Sequence, residues 1–66
     1  MIGKVKWYNN ARGIGYVVDE KGNEILFDYL AVLQSGFATV RSGQLVDYTV
    51  IKGAKGEKIG FLHVLS

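Results

Sequence analysis

Sixty-six residues make room for one small domain with little interior, and the absence of Cys excludes disulfides and thiolate metal sites, so stability must come from a small core or from assembly. A net charge of +2 is too small to diagnose a nucleic-acid partner by itself. Neither a long apolar run nor a charged-then-apolar leader opens the chain, so the expectation is a soluble, cytoplasmic protein with no membrane partner.

Residues 3–18 interleave basic side chains, aromatic rings and glycines, a mixture that can offer cations to phosphates and flat rings to unstacked bases together. Val5 and Trp7 alternate with Lys4, Lys6 and Tyr8, which predicts a strand. Strict alternation would bury Trp7 beside Val5, and an outward Trp7 requires a bulge between them. Asn9 to Gly13 is turn chemistry. From Gly13 to Asp19 the alternation resumes, with Ile14 and Tyr16 on one face and Gly15 and Val17 on the other. Gly13 and Gly15 flank Ile14 and lack a Cβ that would crowd a base or a neighbouring backbone.

Asp19 to Asn23 forms a second polar turn, after which Ile25 and Phe27 point one way and Leu26 and Asp28 the other. Val5, Val17, Ile25 and Phe27 make the expected core. Lys4, Lys6 and Arg12 precede the acidic Asp19, Glu20 and Glu24, so charge is segregated along the chain. Leu30 to Leu33 is apolar without strand alternation, and a long loop follows from Gln34 to Gln44. Phe37 in that loop either tucks under the barrel or stands exposed as a contact. Leu45 to Ile51 reads as the fourth strand, with Val46, Tyr48 and Val50 on one face, and the glycine turn at 53–56 leads into a fifth from Lys58. Five short strands with glycine turns and no Pro suggest a small closed or nearly closed barrel.

Gly-Lys-Val-Lys-Trp-Tyr-Asn at 3–9 and Arg-Gly-Ile-Gly-Tyr-Val at 12–17 resemble the opening of bacterial cold-shock proteins. Ile25-Leu26-Phe27-Asp28-Tyr29 sits where that family carries its second ribonucleoprotein motif, and segments at 35–39, 42–44 and 52–56 are similar to its later loops. The resemblance implies an all-β, five-stranded antiparallel OB-fold barrel spanning 1–66 as one domain, with a helical turn near Leu30. It implies single-stranded RNA or DNA as partner, weak sequence preference and RNA-chaperone action, with no cofactor. Lys6, Trp7, Tyr8, Arg12, Ile14, Tyr16, Leu26, Asp28, Tyr29, Phe37 and Lys55 occupy the family's strand-contacting positions. Three of these depart from its pattern: Ile14 and Leu26 stand where Phe is usual, and Asp28 where His is usual. Aliphatic groups pack on bases without stacking geometry, and a carboxylate brings negative charge toward phosphates.

The segment from Ile59 to Leu65 is nearly all apolar where the family has small residues and Asn. With Gly60, Leu62 and Val64 turned inward, Ile59, Phe61 and Leu65 would face outward and offer a homodimer contact; the alternative is a tail folded over an open barrel end. A rival reading follows, in which the barrel is a protein-interaction or homodimerisation module with little nucleic-acid affinity. His63, the one histidine, lacks partners for a ligand or base role. No carboxylate spacing, Ser/His/Asp order or phosphate loop indicates an enzyme or a metal site.

Overall fold

A computed structural model describes residues 1–36, 39–54 and 56–66. The elements are β1 (Ile2–Asn9), β2 (Ile14–Asp19), β3 (Glu24–Asp28), α1 (Tyr29–Gln34), β4 (Leu45–Gly53) and β5 (Gly56–Val64). The strands close a barrel in the order β1-β2-β3-β5-β4, the all-β architecture expected of an OB-fold. Its pairings are antiparallel except for a parallel contact of β3 with β5 at Phe27 and Ile59.

Turn chemistry fixes the β2–β3 connection. The Asp19 carboxylate accepts from the backbone N–H groups of Lys21 and Asn23, each at 2.9 Å, and the Gly22 N–H donates to the Asp19 carbonyl at 3.0 Å. Those N–H groups hold the Asp19 carboxyl below the usual carboxylate range, with the bond from Asn23 the largest cause. At the β1–β2 turn the Asn9 side chain accepts from the Arg12 N–H at 3.1 Å, and the Gly13 N–H donates to the Asn9 carbonyl. Asp28 ends β3 and caps α1, its side chain accepting from the Ala31 N–H at 3.4 Å.

The inward positions of the strands supply Val5, Val17, Phe27, Val46, Tyr48, Ile59 and Leu62, and α1 adds Ala31 and Val32 from one end. Burying a side chain of this size contributes about 1.5–3 kcal/mol, so these few residues carry most of the barrel's stability. Ile25, expected in the core, is half-buried at the second position of β3 and packs against it. Val50 does the same on β4.

Two bulges set which residues face outward. In β1, Val5 pairs with Val17 and Trp7 with Tyr16, so Lys6 is the extra residue and the alternation flips after it. Val5 is buried while Trp7 is 43% exposed, as the bulge requires. In β5, Thr49 faces Phe61 and Val50 faces Ile59, which leaves Gly60 unpaired. This second bulge corrects the expectation for Ile59: the side chain is fully buried, three positions before the equally inward Leu62, and is no surface contact. Phe61 and Leu65 do face outward, at 59% and 47% exposure. Phe61 shares its face with the exposed Ile51, whose side chain lies over Gly60.

Candidate nucleic-acid interface

The register of β1, β2 and β3 assembles the outer face in rows. Trp7 lies opposite Tyr16, and Tyr16 opposite Leu26, so one row crosses all three strands. The next row runs through Asn9, Ile14 and Asp28. Trp7 and Tyr16 stack with ring centroids 6.3 Å apart and planes at 29°, while Ile14, Tyr16, Leu26 and Asp28 are each half-buried. A flat, partly desolvated surface of two rings and two aliphatic chains can receive the faces of unstacked bases.

Gly15 sits on the inward side of β2, beneath that surface. Its position pairs with Tyr8 and Phe27, and a Cβ there would collide with the Trp7 carbonyl oxygen and come within 2.8 Å of the Phe27 ring. The close approach is to backbone and core, whereas Gly13 is required by its φ of 69° in the turn before β2.

Tyr8 is not in the row with Trp7. One position beyond the bulge it turns inward and stacks on the core residue Phe27, with centroids 5.4 Å apart, so its expected place on the outer face is corrected to the barrel wall. Burial pushes the Tyr8 hydroxyl above its ordinary pKa, and nearby Tyr29 and Asp28 add to the shift. Tyr29 is 51% exposed at the start of α1 and lines a hollow with Arg12 at the β1–β2 turn. This brings a ring and a guanidinium to one end of the rows. Phe37 and Lys55 lie outside the described residues.

The cations are partly engaged within the protein. Lys6, lifted out by its bulge, forms an ion pair with Glu24 across the sheet. Asp28 is met by Lys58 of β5, with Nζ 3.1 Å from the carboxylate Oδ2. Lys58 thereby balances the charge that Asp28 brings to the face, a residue that sequence reasoning missed because the pair joins positions 30 apart. Ile14, Leu26, Asp28 and Lys58 line a groove of about 420 Å³ together with Gly53, Ala54, Gly56 and Glu57.

A family model for the 'Cold-shock' DNA-binding domain matches residues 1–59. The chain belongs to the cold-shock domain family. Its relatives include the major cold shock protein CspA of Pseudomonas aeruginosa, 37% identical over 82% of this chain and 78% of that one. A cold shock-like protein of Thermotoga maritima is 31% identical over 98% of both chains, and the cold shock-like protein CspD of Escherichia coli is 42% identical over 82% of this chain and 74% of its own. The cold-shock domain is a nucleic-acid-binding, non-enzymatic family. Among the described residues no helix is long and apolar enough to cross a membrane.

Proposed function

We propose that this cold-shock domain binds single-stranded RNA or DNA with weak sequence preference and keeps strands open as an RNA chaperone in the cytoplasm. The observation that carries the reading is the cross-strand row Trp7–Tyr16–Leu26, where an exposed indole stacks on a second ring. Bases stack along the row while Arg12, Lys55 and Lys6 meet phosphates, Lys6 by exchanging Glu24 for the strand. Ile14 and Leu26 give aliphatic contact in place of two rings, which lowers affinity rather than changing the mode. Titration of Trp7 fluorescence with oligo-U and oligo-dT tests the reading: saturable quenching supports it, and no response at high oligonucleotide concentration refutes it.

A second reading rests on the outer face of β4–β5, where Phe61 and Ile51 expose apolar surface, with Leu65 also exposed beyond the end of β5. A second copy of the chain covering this patch would form a homodimer and add the burial that a 66-residue chain lacks. Sedimentation with Phe61→Lys checks it, with dimer converting to monomer; a parent protein that is monomeric at high concentration refutes it.

A further inference from the structure

We infer that the groove beside the stacking row is a guanine-reading subsite, with Asp28 as its specificity-determining residue; the inference rests on single-strand binding at this face. Ile14 and Leu26 line the groove together with Gly53, Ala54, Gly56 and Glu57 of β4 and β5, leaving about 420 Å³, within the range of small-ligand pockets. Apolar walls of this kind hold a flat ring but do not distinguish one base from another. The polar groups do. Asp28 lies opposite Ile14 at the end of the second row, its carboxylate 30% exposed, and Lys58 beside it is 37% exposed.

The carboxylate is fixed in place before any ligand arrives. One oxygen takes the Ala31 N–H and the other the Lys58 ammonium, so backbone cap and ion pair hold its orientation from two elements. Each carboxylate oxygen has a further lone pair, and the ammonium has further N–H donors. The pair therefore presents two acceptors next to a donor along one edge of the groove. Guanine alone among the bases carries two adjacent donors, N1–H and N2–H, followed by an acceptor, O6. Uracil offers one donor and places its O2 against the carboxylate, while cytosine and adenine offer a single amino group. Asp28 accepts from N1–H and N2–H, and Lys58 donates to O6.

The test uses three heptanucleotides: all uridine, the same with one central guanosine, and the same with one central inosine, which lacks the N2 amino group. Trp7 quenching is followed for the parent, for Asp28→Asn, and for Glu20→Gln at an exposed carboxylate of the β2–β3 turn outside the groove. Asn caps helices as well as Asp, so the first variant keeps its fold, checked by circular dichroism and melting. The parent should bind the guanosine heptamer roughly tenfold or more tighter than the uridine one, as a bidentate pair discriminates. Inosine should lose most of that preference. Asp28→Asn should abolish the ratio between the guanosine and uridine heptamers, and Glu20→Gln should retain it. Equal binding of the three heptamers by the parent overturns the inference and leaves single-strand binding standing, as does a preference that survives in Asp28→Asn or is lost in Glu20→Gln. Failure of all three to bind refutes the underlying reading and the subsite together.

Discussion

Replacing Ile14 and Leu26 together by Phe tests whether the outer rows of β1–β3 touch bases. Both side chains are half-buried on the outer face and line the groove, so the added ring atoms enter open space rather than the core below Phe27 and Val17. Stacking on an aromatic is worth about 1–3 kcal/mol per base, and crediting the aliphatic contact already present leaves about 2–4 kcal/mol for the two rings. That corresponds to single-strand binding about 30- to 700-fold tighter. Trp7 fluorescence with oligo-dT reads the change directly, and thermal melts confirm that the double variant folds. A folded double variant that binds no better than the parent would refute the placement of nucleic acid on this face.

Other expectations follow from single contacts. Glu24→Gln releases Lys6 from an exposed ion pair worth about 0–1 kcal/mol, so oligonucleotide binding should stay equal or tighten by up to about fivefold, and weaker binding in a titration would contradict Lys6 exchanging Glu24 for phosphate. Gly15→Ala forces a Cβ against the Trp7 carbonyl and the Phe27 ring, an overpacking cost of about 1–3 kcal/mol, and the melting temperature should fall by about 4–8 °C per kcal/mol. The Asp19 carboxyl is depressed in the folded state, so its contribution is present above the ordinary aspartate value of about 3.9 and is lost as pH falls through the folded value. Melting curves of Asp19→Asn between pH 5 and 2 should therefore show a flatter acid decline than the parent. Burial first, then Asp19 and Glu20, raise the Tyr48 hydroxyl, so its contribution is present below about pH 10 and is lost as pH rises through the folded value. Tyr48→Phe should flatten the alkaline decline, and an unchanged profile would contradict the assignment.

The barrel is legible in the sequence because most strand segments alternate and the turns carry glycine and Asx chemistry; alternation alone would bury Trp7 with Val5, and the bulge is expected because the family resemblance implies an outward Trp7. With alternation resuming after Lys6, strand parity turns Tyr8 inward; its place on the outer face came from the family resemblance, not from the parity of the strand. Ile59 was misplaced because Gly60 hides a second bulge, and its only sequence trace is the spacing of three between two inward residues, Ile59 and Leu62. Lys58 and Glu24 could not be assigned as partners of Asp28 and Lys6 from local pattern, because barrel closure and sheet pairing decide which distant charges meet. Both ion pairs alter the face's electrostatics from what a sum of its own residues suggests.

The most direct test of the central claim compares Trp7 quenching by a single-stranded oligonucleotide and by the duplex of the same sequence across a series of salt concentrations. The account predicts saturable binding of the single strand, weaker binding of the duplex, and a slope of log K against log salt of about −2, from about −0.7 for each phosphate met by Lys6, Arg12 and Lys55. Equal affinity for the two forms, or a slope near zero, would contradict it.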